Sequence, residues 1–114
     1  MLVWKAEISR RVLLWSGVVV CLLFAGCLDE AAEQTDRGMA LWKKGEYDAA
    51  IAEFDKAIEL NPQYGKAYYY RANAYYDDHQ YSRAWDDVHA AQELGYRIAP
   101  RFLEILREAS GRER

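Results

Sequence analysis

Two groups of carboxylate and imidazole side chains are the residues that could hold a metal ion or transfer protons. Carboxylate oxygens with an imidazole nitrogen can bind zinc or a harder cation. Adjacent residues on a helix point in different directions, however, so neighbouring carboxylates converge poorly on one ion. A solvated, charged surface is therefore the favoured interpretation, and we expect no metal site and no catalytic residues. The two groups are Asp77, Asp78 and His79, and Asp86, Asp87 and His89.

Covalent catalysis is equally hard to assemble from this sequence. A nucleophile needs a base and an orienting group in one pocket, and the chain has only 2 histidines and 2 cysteines. Cys21 and Cys27 lie in or beside an apolar N-terminal run, which leaves no disulfide or thiolate metal site for the later residues. A net charge of −3 disfavours binding to nucleic acid, whose phosphates are negative. The sequence predicts a protein that is not an enzyme, with no cofactor and no small-molecule substrate.

The N-terminal residues have the layout of a secretory signal. A basic n-region, residues 1–11, carries Lys5, Arg10 and Arg11, and an uncharged h-region follows over residues 12–26. A helix that crosses a membrane usually needs about 20 apolar residues, and this run is shorter. A signal peptide over residues 1–26 is the favoured interpretation, and an uncleaved transmembrane helix is the alternative.

The end of this run, LLFAGC at residues 22–27, resembles the lipobox of bacterial lipoproteins. In that family two small residues precede a cysteine whose thiol is alkylated by diacylglycerol. Ala25 and Gly26 match the small pair and Cys27 matches the lipid carrier, although Phe24 stands where leucine is usual. The resemblance implies lipidation at Cys27 and a lipoprotein anchored to a membrane of the bacterial cell envelope. A buried cysteine in a membrane helix is the other interpretation.

The rest of the chain repeats after 34 residues. The segment YDAAIAEFDKAIEL, beginning at Tyr47, aligns without a gap with YSRAWDDVHAAQEL, beginning at Tyr81. A fixed period of this length is typical of helix pairs that stack and bury their apolar faces against one another. No segment alternates as a strand does, so the predicted fold class is all-α.

Start and stop signals divide this repeat into helices. Asp48 and Ser82 stand at capping positions, and Gly45 ends the first helix. His79 replaces that glycine 34 residues later, and we expect a different turn geometry there. An acidic tether at residues 27–33 leads into the first helix, and residues 110–114 form a polar tail. The predicted helices cover residues 31–44, 48–60, 65–78, 82–94 and 100–109.

This pattern resembles the tetratricopeptide repeat (TPR), a 34-residue helix–turn–helix unit with small residues where its helices cross. Gly38 and Ala72 match the small position of the first helices, and Ala50 and Ala84 match that of the second helices. Small side chains there let neighbouring helices approach closely. Leu106 occupies the small position of a third unit, which suits a helix that caps the array. The resemblance implies a right-handed helical-repeat solenoid, with TPR 1 at residues 31–64, TPR 2 at residues 65–98 and a capping helix at residues 99–109.

The repeat also places two arginines and two acidic residues in equivalent positions. Arg37 and Arg71 are 34 residues apart, and so are Glu53 and Asp87. In antiparallel hairpins, Arg37 should face Glu53, and Arg71 should face Asp87. The sequence therefore predicts a guanidinium–carboxylate contact inside each hairpin. Such a pair, if partly buried, aligns the helices more than it stabilises them.

A stripe of aromatic and polar residues runs along the first helix of each unit. Tyr69, Asn73 and Tyr76 are spaced by four and three residues, so they share one helix face. The TPR resemblance implies that this face lines the concave groove in which the family binds segments of other proteins. Packing between neighbouring helices is the alternative. The predicted groove residues are Thr35, Met39, Trp42, Tyr69, Asn73, Tyr76 and Leu103.

These features predict a membrane-anchored TPR lipoprotein that mediates protein–protein interaction, in envelope assembly or secretion. Its partner is another protein or a second copy of the chain, and the membrane is reached through the N-terminal lipid. The alternative is a structural, self-oligomerising TPR module held by an uncleaved N-terminal transmembrane helix.

Overall fold

A computed structural model of the protein describes residue 26 and residues 28–111. This part of the chain contains five helices and no strand, which confirms the predicted all-α fold class. The helices are α1, described over residues 28–43, α2 over Tyr47–Leu60, α3 over Gly65–Asp77, α4 over Tyr81–Glu93 and α5 over Pro100–Ser110.

The helices pair in chain order. α1 and α2 form a first hairpin and α3 and α4 a second. α3 packs against α2 as well as α4, and α5 packs against α4. The described helices therefore form a linear array in which each pair rests on the next, as expected of a helical repeat.

Close approach between the paired helices depends on small residues, as predicted. A Cβ atom placed on Gly38 would lie 2.6 Å from the nearest ring atom of Phe54, so α1 and α2 touch there. The equivalent residues of the second hairpin are Ala72 and Val88, and both are fully buried in one cluster. The smaller valine leaves room for the methyl group of the alanine.

The core consists of two apolar clusters. The first joins Ala50 and Phe54 of α2 to Ala74 of α3. The second and larger cluster includes Trp85 on α4 and Leu106 on α5, and the leucine side chain is fully buried. Leu106 therefore fills the position that is small in the other units, because in the described part of the chain no later helix packs on α5.

The two hairpin turns have the same geometry, so the expectation of a different turn at His79 is wrong. Gly45 has φ +81° and His79 has φ +60°, and both values are left-handed. The amide that follows each one bonds back across the turn, to Leu41 O at 3.0 Å and to Tyr75 O at 2.8 Å. The repeated helix ending imposes this conformation, although histidine carries a Cβ atom that glycine lacks.

The predicted caps at Asp48 and Ser82 are also wrong, because α2 and α4 begin one residue earlier, at Tyr47 and Tyr81. Glu46 closes the preceding turn, and its carbonyl already accepts the first helical bond of α2 at 2.9 Å. The new helix thus begins as soon as the turn ends. Asp48 lies in the first turn of α2, where its charge suits the helix dipole.

Residues 28–33 are helical and belong to α1, so the predicted tether is wrong for this segment. Leucine, alanine and glutamate favour helix, and Ala31 is fully buried, which holds the segment in the array. The predicted signal region up to residue 25, Cys27 and residues 112–114 lie outside the described residues. None of the helices described here has the length and apolar content needed to cross a bilayer.

Candidate functional site

The predicted groove residues lie on the first helix of each hairpin and on the cap. Except for Thr35, all of them are half-buried. They therefore form a wall that is partly packed and partly open to solvent. Thr35, Met39 and Trp42 belong to α1, Tyr69, Asn73 and Tyr76 belong to α3, and Leu103 belongs to α5.

Thr35 does not line an accessible groove, and its assignment there is wrong. Its side chain is fully buried, and its Oγ1 hydroxyl donates to the Ala31 carbonyl at 2.8 Å. A threonine inside a helix commonly satisfies its hydroxyl on the preceding turn in this way. Thr35 is therefore a packing residue.

Asn73 retains hydrogen-bonding capacity towards the groove. Its Nδ2 amide donates to the Tyr69 carbonyl at 2.8 Å, which uses one of its two amide protons. A side-chain amide has a second proton and an acceptor oxygen. These remaining groups match the acceptor and donor of a peptide backbone.

Tyr69 and Tyr76 each pack against the core on one side and belong to the wall on the other. Their rings meet the Phe102 ring of α5 edge-on, with centroids 5.8 and 5.9 Å apart. This geometry is favourable for aromatic pairs. The packing alternative is thus correct for one side of each tyrosine, while the rest of each half-buried side chain stays accessible.

Two polar contacts join α1 to α3 beside the wall. The Trp42 indole donates to Asp77 Oδ2 at 2.6 Å. The Lys66 ammonium lies 3.5 Å from Asp36 Oδ1, in an exposed position where such a pair contributes little. The indole bond is the stronger constraint, since it holds Trp42 in one orientation across the two hairpins.

The predicted contact between Arg71 and Asp87 is present. Arg71 Nε and Nη2 donate to the two oxygens of Asp87 at 2.8 and 2.6 Å. The third nitrogen, Nη1, donates to Asp55 Oδ1 at 2.6 Å, a contact that the sequence interpretation missed. The rings of Tyr68 and Tyr75 lie 5.6 and 5.8 Å from the guanidinium carbon.

Burial and charge act against each other in this cluster. Burial raises the pKa of the Asp87 carboxyl, and the Arg71 guanidinium reduces that rise. Burial lowers the pKa of Arg71, but hydrogen bonds and charge from Asp87 and Asp55 outweigh it and raise the pKa overall. Arg71 therefore stays charged, and 6% of the Asp87 side chain is exposed. That the pair aligns the helices more than it stabilises them remains a prediction.

Arg37 does not contact Glu53, so the equivalent prediction for the first hairpin is wrong. Arg37 Nη2 bonds to Glu33 at 2.6 Å, with 59% and 61% of the two side chains exposed. Glu53 pairs instead with Lys56 at 3.0 Å. Arg71 has an acid 16 residues before it and another 16 residues after it, but the residue 16 positions before Arg37 is Cys21. Arg37 thus lacks the second acid that Arg71 has, and its side chain lies in solvent.

The carboxylates and histidines that were considered as metal ligands or catalytic groups contact different neighbours. Asp78 accepts a bond from the Gln80 amide, the His79 ring lies 2.9 Å from the Tyr81 hydroxyl, and Asp87 is occupied by Arg71. Across residues 28–111, no three histidine, cysteine, aspartate or glutamate side chains are grouped as metal ligands.

Comparison with known sequences agrees with this geometry. The family model described as TPR repeat matches residues 38–78, from the middle of α1 to the end of α3. The fold is a TPR helical repeat. TPR repeats are non-catalytic scaffolds for protein–protein interaction, so the fold indicates binding to another protein.

The chain is also similar to a protein named Protein SGT1 homolog from Oryza sativa subsp. japonica, with 39% identity over 80 residues. The match covers 68% of this chain and 21% of that relative. The chain therefore spans about a fifth of the length of the curated relative it matches.

The contact between Asp55 and Arg71 was not predicted from the sequence, although a signal for it exists. Asp55 lies 16 residues before Arg71, and Asp87 lies 16 residues after Arg71. This symmetric spacing is visible in the sequence, but the packing of α3 on both α2 and α4 is what brings the two acids to Arg71. The role of Phe102 as the support of two groove tyrosines has no comparable signal, because it depends on how α5 lies against α3.

Proposed function

We propose that this TPR array is a non-enzymatic module that binds a segment of another protein along α1, α3 and α5. The observation that carries the proposal is the half-buried wall described above, which includes Trp42, Tyr69, Asn73 and Tyr76. Aromatic residues of this kind are enriched in the centres of protein interfaces. Asn73 adds a backbone-binding amide, so the proposed ligand is an extended peptide or a helix end.

The proposal includes attachment to a membrane of a bacterial cell envelope through lipid on Cys27. It is supported by the sequence LLFAGC, which ends immediately before the helical residues 28–43. Stable anchoring requires more than one acyl chain, which diacylglycerol on the thiol supplies. By analogy with other lipoproteins that display helical repeats, the role would be in envelope assembly or secretion.

Mass spectrometry of the mature N-terminus tests the anchor. The expected product begins at Cys27 and carries the added mass of the lipid, and Cys27→Ser should abolish that mass. An intact Met1 with unmodified Cys27 would replace the lipoprotein by the alternative, a chain held by an uncleaved transmembrane helix.

Site-specific photo-crosslinking tests the groove. A photoreactive residue at Leu103, on the wall, should capture a foreign protein from the native membrane, and the same group at exposed Glu59 on α2 should not. Asn73→Ala should lower the yield by about tenfold if its amide bonds the ligand. Gln92→Ala, an amide on the exposed part of α4, is the matched control and should leave the yield unchanged.

Capture of a second copy alone would favour the structural, self-oligomerising module. Equal capture from Leu103 and Glu59 would remove the argument for a groove on this face. Both results can be recognised without knowing the partner in advance, because the mass of the crosslinked product distinguishes a dimer of this chain from a complex with another protein.

A further inference from the structure

We propose that Arg71 is a positioning residue that fixes the orientation of the two hairpins relative to one another. It would thereby set the shape of the wall, which includes Trp42 of the first hairpin and Tyr69, Asn73 and Tyr76 of the second. The first part of this proposal concerns geometry alone, and the second part rests on the function proposed above.

The bonds of Arg71 span the junction between the hairpins. Arg71 lies on α3, Asp87 on α4 of the same hairpin, and Asp55 on α2 of the first hairpin. The three donor–acceptor distances are 2.8, 2.6 and 2.6 Å. The two bonds to Asp87 hold the guanidinium on α4, and the third, from Nη1 to Asp55, is the one that reaches α2. A guanidinium is planar and its donors form a rigid fork, so anchoring one edge on α4 restricts where and at what angle α2 can meet the other edge.

Arg37 is the equivalent arginine without a second acid. It occupies the equivalent position of the first hairpin and has Glu53 at the equivalent of Asp87, yet 59% of its side chain is exposed. Only 18% of the Arg71 side chain is exposed. Two features distinguish the inserted arginine from the one that faces solvent: an acid from the neighbouring hairpin, and the rings of Tyr68 and Tyr75. The residues equivalent to these tyrosines in the first hairpin are Gln34 and Leu41.

This arrangement acts on the wall without touching a ligand. Arg71 and Tyr69 are close neighbours on α3, so a rotation of that helix against α2 moves both. Trp42 belongs to the first hairpin, and its bond to Asp77 crosses to the second. A change of angle at Arg71 thus alters the spacing between the parts of the wall that the two hairpins supply.

Two variants separate positioning from stability. Arg71→Lys keeps a charge but supplies a single donor centre, which cannot serve both acids in the same geometry. The triple variant Arg71→Met, Asp55→Asn, Asp87→Leu removes every charge of the cluster together and leaves no polar side chain at the buried position 87. Since replacing a buried ionic cluster by apolar residues of similar volume is often neutral or stabilising, we expect it to remain folded.

Residual dipolar couplings of the full chain in detergent micelles report the angle directly. In the unmodified protein, amides of α2 and of α3 with α4 should fit one alignment tensor at the orientation described here. In Arg71→Lys and in the folded triple variant we expect loss of this common fit. Lys56→Met, which removes the exposed partner of Glu53, is the control and should preserve it.

A folded triple variant whose two hairpins keep the original orientation would overturn the proposal, because apolar packing and the Trp42–Asp77 bond would then set the angle without Arg71. If the variants lose the fixed angle and also lose capture at Leu103, both parts of the proposal hold. If they lose the angle but capture is unchanged, Arg71 still positions the hairpins, and the link between their angle and the groove is refuted.

Discussion

Gly38 and Phe54 show how one pair of residues sets the distance between two helices. The Phe54 ring fills the space where a side chain at Gly38 would be, and the ring is itself fully buried. The second hairpin divides the same space differently, with Ala72 opposite Val88. The two pairs are alternative solutions to one packing requirement, in which the summed volume matters more than either residue.

We predict that the effect of Gly38→Ala on the free energy of unfolding changes sign with the residue at position 54. With Phe54 present, the added Cβ would lie 2.6 Å from the ring, so we expect overpacking at the upper end of its usual range, about 2–3 kcal/mol. This outweighs the gain of about 1 kcal/mol in helix propensity, and the variant is destabilised. In a Phe54→Val background the clash is relieved, and Gly38→Ala stabilises by about 1 kcal/mol. Urea unfolding of the four proteins of this cycle measures the coupling.

Additive effects would contradict this prediction, since they would mean that the ring of Phe54 moves aside at no cost. Ala40→Gly, at an exposed position of α1, is the control for helix propensity alone. It should destabilise by about 1 kcal/mol in both backgrounds.

At the scale of elements, the turn between paired helices keeps one geometry despite a change of residue. Gly45 and His79 both have positive φ, and the bonds that close each turn are equivalent. The conformation is therefore imposed by the helix ends and their packing. His79 adopts this conformation against its local preference, because a left-handed φ is unfavourable for a residue with a Cβ atom.

We predict that His79→Gly stabilises the protein by about 0.5–1 kcal/mol, because it removes this backbone strain. The exchange in the other hairpin, Gly45→His, should destabilise by a similar amount, because Gly45 has φ +81°. Thermal unfolding of the two variants gives both values. Nothing lies within 4 Å of a Cβ at Gly45, so steric overlap does not complicate the comparison, and two shifts of the same sign would refute the account.

At the scale of the whole molecule, the capping helix joins the core to the groove wall. Phe102 supports Tyr69 and Tyr76 from one side, and Leu106 is fully buried in the larger cluster. Short arrays depend strongly on such end units, because each pair contacts its neighbours alone. The cap packs on both helices of the second hairpin, so it contributes to the stability of that hairpin as well as to its own.

We predict that Leu106→Ala lowers the free energy of unfolding by about 2–5 kcal/mol, the range for a buried leucine. The described array should still unfold in one transition, so circular dichroism and amide signals of α1 and α5 should have the same urea midpoint. Leu94→Ala is the matched control. Its side chain is 39% exposed, and its effect should stay within about 0.5 kcal/mol. A separate, earlier transition of α5 would show that the cap is not integrated.

Helix identity and the repeat were predictable because both arise from local or periodic signals. Proline, glycine and the 34-residue period locate α2 to α5 to within a residue or so of their ends. Thr35 and Arg37 were not predictable in the same way. Arg37 differs from its equivalent Arg71 because no hairpin precedes α1 among the described residues to supply a second acid. Thr35 differs from its equivalent Tyr69 because its short side chain bonds to its own helix, whereas the tyrosine ring reaches Tyr96 and Phe102.

The sequence by itself determined the all-α class, the two hairpins and the cap, because each follows from periodicity and chain connectivity. It predicted an arginine–acid pair in both hairpins, and the structure contains the Arg71–Asp87 pair alone of the two. Tertiary structure decided which equivalent positions behave differently. It brings Asp55 to Arg71, leaves Arg37 in solvent, and places Phe102 beneath the tyrosines of the wall. Equivalence in a repeat specifies a position on a helix, whereas the burial and charge around that position depend on the helices packed on either side of it.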